Sequence, residues 1–185
     1  MDILVIILLV AVLVIVLWIA GAYNGLIKLR TQTQEALADI DVQLKRRYDL
    51  IPNLLETVKG YAAHEQGVFE KVTLARTAAM GATTLKEQTQ ANNQLTDALK
   101  TLFAVSENYP DLKASTNFLE LQRELTDTED KVQAARRFYN ANVRDLNIKV
   151  QSFPDNIIAN MFNFKMAELF EVTDAAQKEA PQVKF

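Results

Sequence analysis

The stretch DVQLKRRYDLIPNLLETVKGYAAHE, Asp41–Glu65, decides how the first two helices after the N-terminal segment are connected. Asp49 and Pro52 lie in its middle, within an otherwise helical pattern. An aspartate cap followed by a proline in the first helical turn is favourable, so we predict a turn near residues 48–52 between two helices. A single helix that kinks at Pro52 and continues is the alternative.

N-terminal to this stretch lies the uncharged segment ILVIILLVAVLVIVLWIAGA, Ile3–Ala22. Its roughly 20 residues, at about 1.5 Å each, match the ~30 Å thickness of a bilayer core, so we predict a transmembrane helix. A cleaved signal peptide is the alternative, but only Met1 and Asp2 precede the segment and neither is basic. Trp18 and Tyr23 lie where an interfacial aromatic belt is expected.

The basic residues predict the orientation of this single span. Lys28 and Arg30 follow it closely, and Lys45, Arg46 and Arg47 lie further along, whereas the N-terminal flank has no basic side chain. The positive-inside rule therefore predicts a short N-terminus outside the cell membrane and a cytoplasmic C-terminal domain. The lipid bilayer is thus the first expected partner.

The rest of the chain is predicted to be all-α, because proline and glycine are sparse and no alternating strand pattern occurs. We expect an anchor over residues 1–22, an antiparallel up-down-up-down four-helix bundle over 23–152, a short apolar helix over 153–172 and a polar tail over 173–185. The expected helices of the bundle cover about 23–48, 52–79, 85–107 and 114–151.

The C-terminal segment FPDNIIANMFNFKMAELFEV, Phe153–Val172, is unusual because its apolar residues occupy more than one face of a short helix. Docking on the end of the bundle, contact with another subunit and insertion among lipid headgroups are all compatible with this pattern. The candidate interface residues are Ile157, Ile158, Met161, Phe162, Phe164, Leu169 and Phe170.

No residue pattern indicates catalysis. His64-Glu65 resembles part of a zinc motif, but Val68 occupies the position of the required second histidine, and Tyr61 replaces the glutamate of a di-metal helix. Phosphate loops, nucleophile elbows and cysteines are absent from the sequence, and the net charge of −3 argues against nucleic acid as a partner. We therefore expect no enzymatic activity, metal or cofactor.

Four charged residues fall on otherwise apolar helix faces: Glu65, Arg76, Glu129 and Arg136. Because burial of single charges is costly, these side chains should pair across helices or lie at the edge of the core. A ligand-binding pocket and a purely structural ion-pair network are both possible interpretations. The basic cluster Lys45–Arg47 could hold an anion, but we expect it to be solvated.

Several blocks extend over most of the soluble part: YNGLIKLR from Tyr23, the stretch from Asp41, Ala75-Arg76, ENYPDLKAS from Glu107, TEDKVQAARRFYN from Thr128, and Phe153-Pro154. Together these blocks resemble the LemA family of bacterial single-span membrane proteins. The resemblance implies an N-terminal anchor, a short extracellular N-terminus and a helical antiparallel bundle. It implies no enzymatic activity.

Three functional hypotheses follow. The leading one is a non-enzymatic, membrane-anchored scaffold that forms homo-oligomers and organises membrane or envelope components. The second is an adaptor that presents its helices to a membrane enzyme or signalling protein. The third and weaker one is a ligand-sensing bundle that uses the four charged residues named above.

Overall fold

The computed structural model describes residues 3–170, and within that range the protein is helical with no strand. The predicted all-α class is confirmed, whereas the up-down-up-down arrangement of four helices stays a prediction. The helices are α1 Ile3–Lys59, α2 Gln66–Gly81, α3 Leu85–Ser106, α4 Pro110–Lys113, α5 Thr116–Gln151 and α6 Asp155–Met161.

The chain divides into two compact units. The first, which we call the juxtamembrane unit because it includes the end of the apolar segment, combines residues 3–42 with Val132–Leu169. The second, which we call the distal unit because its part of α1 is further along the chain from that segment, contains Gln43–Lys131 and Phe170. Helices α1 and α5 therefore each contribute residues to both units, and each unit is described by itself below.

The predicted turn at residues 48–52 is wrong, because α1 continues through Pro52 to Lys59. Pro52 has no N–H to donate to the carbonyl of Tyr48, four residues earlier, which would leave that acceptor unpaired. The Arg76 side chain from α2 compensates, since its Nε donates to the Tyr48 carbonyl oxygen at 2.8 Å. A hydrogen bond from another helix thus allows the proline inside α1.

The real break in the chain comes after Lys59, so the helix expected over 52–79 is divided between the end of α1 and α2. Gly60 begins the connection, and the Ala62 N–H still bonds the Val58 carbonyl at 2.9 Å before the backbone turns. Glycine is a poor helix former, and here it marks the end of the helix more reliably than the proline does.

Helix α3 begins with a capping box. The Thr84 hydroxyl accepts a hydrogen bond from the Glu87 N–H at 3.2 Å, and the Glu87 carboxylate accepts from the Thr84 N–H at 3.1 Å. Hydrogen bonds to the Glu87 carboxylate, first from the Thr83 N–H and then from the Thr84 N–H, lower the pKa of Glu87. The predicted bounds of the third and fourth bundle helices agree with α3 and α5 to within two residues.

Apolar residues recur at three- and four-residue steps along the helix that was expected over 52–79, as on the core-facing side of a helix. All six of them are buried, even though the chain turns between them. Those residues are Leu55, Val58, Ala62, Phe69, Val72 and Ala79.

The C-terminal segment forms a shorter helix than expected. Helix α6 ends at Met161, and Asn163 adopts a left-handed conformation with φ of 58°. The Phe164 N–H bonds the Ala159 carbonyl at 2.9 Å and the Asn163 N–H bonds that of Asn160 at 3.3 Å, which is the Schellman pattern that ends helices. Residues 164–170 have no regular secondary structure. The last two positions of the expected helix and the whole of the expected polar tail lie outside the described residues.

Candidate functional site

The juxtamembrane unit joins the end of the apolar N-terminal segment to the C-terminal part of the chain. A buried cluster contains Ala22 and Leu26 from α1, Ile158 and Ala159 from α6, and Phe164 just after α6. The half-buried apolar side chains that pack against it are Ile19, Tyr23, Ile27 and Val150. The C-terminal segment therefore contacts α1 at the boundary of the candidate membrane span.

Aromatic contacts reinforce this packing. The Tyr23 ring lies 4.8 Å from the ring of Phe162 and 5.9 Å from that of Phe164, measured between centroids, in tilted and edge-on geometries. The guanidinium carbon of Arg30 lies 5.3 Å from the Phe164 ring centroid. Such pairs each contribute on the order of 1 kcal/mol beyond the burial of area.

Two polar side chains of α5 hold the irregular chain that follows α6. The Asn147 amide donates to the Ala167 carbonyl and accepts from the Ala167 N–H, both at 2.9 Å. The Tyr139 hydroxyl donates to the Glu168 carbonyl at 2.9 Å. Burial, assisted by the nearby Glu168, raises the pKa of Tyr139. The segment is thus fixed through its backbone rather than by side-chain packing alone.

The candidate interface residues divide into two groups. Ile158, Phe164 and Phe170 are buried, with at most 8% of each residue exposed, and cannot contact a partner without unfolding. The exposed members are Ile157, Met161, Phe162 and Leu169. Phe153 and Met166, which sequence reasoning did not single out, add to the exposed apolar area with 80% and 59% of their surface accessible.

The distal unit contains a buried ion pair that the sequence analysis missed. Arg47 is only 3% exposed; its Nη2 lies 2.7 Å from a carboxylate oxygen of Glu129 and donates a hydrogen bond to the Thr96 hydroxyl at 2.8 Å. Burial lowers the pKa of Arg47 and Glu129 opposes that change. The expectation of a solvated cluster holds for Lys45 and Arg46, which are exposed, but is wrong for Arg47.

The signal for Arg47 was present in the sequence. On a continuous helix it falls on the same three- and four-residue stripe as the buried Ile40, Leu44, Ile51 and Leu54. The turn predicted at 48–52 interrupted that stripe and concealed the position.

A second polar group surrounds Tyr48, whose hydroxyl donates to the Asn92 side chain at 3.1 Å and lies 3.4 Å from the Ala79 carbonyl oxygen. Its own carbonyl accepts from Arg76 as described above. Tyr48 thus links α1 to α2 and α3 through both its side chain and its backbone.

The four charged residues singled out from the sequence have separate roles. Arg76 binds the Tyr48 carbonyl and Glu129 binds Arg47. Glu65 accepts from the Tyr109 hydroxyl at 2.9 Å and thereby raises the pKa of that tyrosine. Arg136 belongs to the juxtamembrane unit. The three members in the distal unit each contact a different partner.

Within residues 3–170 no group of three or more His, Cys, Asp or Glu side chains is arranged to hold a metal ion. His64 is exposed in the connection between α1 and α2. A cleft of about 150 Å³ lies beside Arg47 and Glu129 and is also lined by Thr96 and Lys100. Because the Arg47 guanidinium already contacts the Glu129 carboxylate and donates to the Thr96 hydroxyl, the cleft offers a ligand little beyond the edge of an existing ion pair.

The fold and the juxtamembrane cluster define a class: a helical protein with, in residues 3–170, one candidate membrane span, whose apolar side chains are not buried by the described chain. The sequence model of the LemA family matches residues 36–185. The chain belongs to the LemA family.

Comparison with curated proteins finds relatives of two names. "Magnetosome protein MamQ 2" of Paramagnetospirillum magneticum is 27% identical over 88% of this chain and 70% of its own length. "Protein LemA" of Metamycoplasma hominis is 26% identical over 83% of this chain and 71% of its own length. "Magnetosome protein MamQ" of Magnetospirillum gryphiswaldense is 23% identical over 80% of this chain and 64% of its own length. The chain is accordingly a membrane-associated helical protein.

Proposed function

We propose that this protein is a non-enzymatic, membrane-anchored scaffold that self-associates and organises membrane or envelope components. The observation that carries the proposal is α1, a single helix of 57 residues that begins with the candidate span and ends among the soluble helices. At about 1.5 Å per residue it is roughly 85 Å long. An unbroken helix connects the candidate span directly to the soluble residues, without an irregular linker between them, as we expect of an anchored scaffold.

The C-terminal segment supports the same function. Phe164 and α6 pack against α1 at Ala22 and Leu26, where α1 would leave the bilayer. A lone helix at that position would be free to tilt, whereas the packed cluster stiffens the base of the soluble part. The basic residues Lys28 and Arg30 follow the span, and we propose on the positive-inside rule that the soluble helices are cytoplasmic.

Self-association is supported by apolar side chains that remain exposed on the soluble helices. Leu74 is 70% exposed, Val42 61% and Phe138 58%. Contacts between copies would remove this area from water at roughly 25 cal/mol per Å². The charged side chains of Arg47, Arg76 and Glu65, in contrast, each make a hydrogen bond within the fold, which favours a structural over a catalytic role.

The test is the mass of the full-length protein in a mild detergent, measured by light scattering over a range of concentrations. We expect a complex of several 20.8 kDa copies. Phe138→Ser, Leu74→Ser and Val42→Ser change exposed positions and should leave helicity intact, so any loss of mass reports on contacts between copies. A protein that stays a single copy at every concentration would contradict the scaffold.

An adaptor function is the second candidate. A groove of about 460 Å³ in the distal unit, lined by Phe69, Leu74, Thr73 and the charged Lys59 and Glu70, gives a surface for a helix of another membrane protein. Purification in mild detergent should then recover a stoichiometric partner that Leu74→Asp releases. Recovery of this chain alone would count against the adaptor and leave the scaffold unaffected.

A further inference from the structure

We propose that α6 and the residues around it form a second membrane contact, which lies in the headgroup layer of the same bilayer that holds the N-terminal span. The occupant of the exposed apolar surface is therefore lipid. This inference rests on the membrane anchor in the proposed function, but it requires neither self-association nor a partner protein.

The cluster that contains α6 lies at the end of the apolar N-terminal segment. Ile19 and Ala22 belong to the apolar segment, and both pack in the cluster that includes Ile158, Ala159 and Phe164. Ile19 lies about one helical turn, roughly 5 Å, inside the end of that segment. Side chains that contact it are therefore at the boundary between hydrocarbon and headgroups when the segment spans a bilayer.

The apolar side chains of α6 that do not contact α1 are exposed. Helix α6 uses one face to contact α1, and its other face presents Ile157 and Met161, one turn apart, with 49% and 65% of each exposed. Phe153, just before the helix, is 80% exposed, and Phe162, just after it, is 49% exposed. A short helix with exposed apolar side chains at this depth has the amphipathic character of interfacial helices.

Exposed basic side chains occur in the same unit as this apolar surface. Lys28, Arg30 and Lys165 are exposed in the juxtamembrane unit, and Arg30 lies over the Phe164 ring. Lys149 neutralises Asp155, the acidic residue in the first turn of α6, at 3.2 Å. Apolar side chains flanked by basic ones match a surface of acyl chains beneath anionic headgroups.

The exposed apolar surface around α6 is continuous with the span. This continuity favours lipid, and not a second copy of the chain, as the occupant of the surface. The bilayer adjoins Ile19 and Ala22 in every molecule that is inserted, so lipid reaches Met161 without a further binding event. A second copy would have to displace that lipid. Because α6 lies beside the bilayer, lipid is already present at its exposed apolar surface.

The experiment uses full-length protein in vesicles of phosphatidylcholine and phosphatidylglycerol. The natural sequence has no cysteine, so Met161→Cys and Phe138→Cys can each carry one environment-sensitive fluorophore. Phe138 is the matched control, because it is about as exposed as Met161. It lies 13 residues, about 20 Å, along α5 from Gln151, the last residue of α5 before the chain continues into α6. Asn160→Cys, an exposed polar position on α6, tests whether the contact follows one helix face.

Spin-labelled lipids with the label near the headgroup should quench the Met161 probe several-fold more than the Phe138 probe, with Asn160 between them. Trp18, the single tryptophan of the sequence, reports separately on the span. Quenching of Trp18 with equal, weak quenching at Met161 and Phe138 would overturn the inference and leave the anchor intact. Absence of quenching at Trp18 would overturn the anchor as well. Energy transfer between Met161 probes on different copies, without lipid quenching, would assign the surface to self-association and also overturn the inference.

Discussion

Arg76 is expected to stabilise the fold only because Pro52 is present, and this dependence can be measured. The Arg76 Nε donates at 2.8 Å to the Tyr48 carbonyl, the acceptor that Pro52 leaves without its helical partner. Arg76→Met removes the donor, and an unsatisfied buried acceptor costs about 1–3 kcal/mol. For a chain of this size, about 2 kcal/mol corresponds to roughly 4–8 °C in Tm.

Replacing Pro52 by alanine should reduce the loss of stability that Arg76→Met causes. In a Pro52→Ala background, the alanine supplies a backbone N–H that can donate to the Tyr48 carbonyl, so Arg76→Met should cost less than about 1 kcal/mol. The double-mutant cycle should therefore give a coupling of about 1–2 kcal/mol between two side chains on different helices.

Thermal melts of full-length protein in detergent, followed by circular dichroism, provide the four Tm values. Arg123→Met, at an exposed position of α5, is the matched control and should change the free energy of unfolding by no more than about 0.5 kcal/mol. An equal loss from Arg76→Met in the wild type and in the Pro52→Ala background would refute the explanation of how α1 tolerates its proline.

The other predictions concern the buried ion pair, the α3 cap and the C-terminal segment. Arg47→Met should destabilise the protein by about 3 kcal/mol, because it leaves Glu129 without the cation that it contacts at 2.7 Å, and Glu129→Gln in addition should cost less than in the wild type; additive losses would argue against the pairing. Because the pKa of Glu87 is lowered, its cap stabilises α3 at pH above the ordinary value of 4.5, and this stabilisation is lost as the pH falls through the lowered pKa. Amide protection in the first turn of α3 should fall on acidification in the wild type but hold steady in Glu87→Gln. Asn147→Leu should lose about 2 kcal/mol with its two bonds to Ala167, and should speed tryptic cleavage after Lys165; an unchanged cleavage rate would mean that other contacts hold the segment.

Helical periodicity predicted the core of this protein better than it predicted the connections. Val58, Ala62 and Phe69 are all buried, although the chain turns between the second and third of them. A stripe of apolar residues depends on which side chains leave water, and it is insensitive to where the backbone bends. The continuity of α1 through Pro52 depends on Arg76 and Tyr48, residues 28 apart in sequence, and no local pattern contains that contact.

The candidate site was predictable only in part, for a similar reason. The composition of Phe153–Val172 drew attention to an unusually apolar segment, but it could not separate the buried Ile158 from the exposed Ile157. That separation depends on which face of α6 meets Ala22 and Leu26, residues at the other end of the chain. The end of α6 at Met161 depends on Asn163 adopting a left-handed conformation, which asparagine permits but does not require.

The most direct measurement of the scaffold function is the number of copies that associate in an intact bilayer. Full-length protein with Asn53→Cys, an exposed position on α1, can be labelled at that single cysteine, reconstituted at low density and counted by stepwise photobleaching. The account predicts clusters with several bleaching steps that persist when the protein is diluted in lipid. Single-step bleaching at every density would contradict self-association and with it the proposed scaffold.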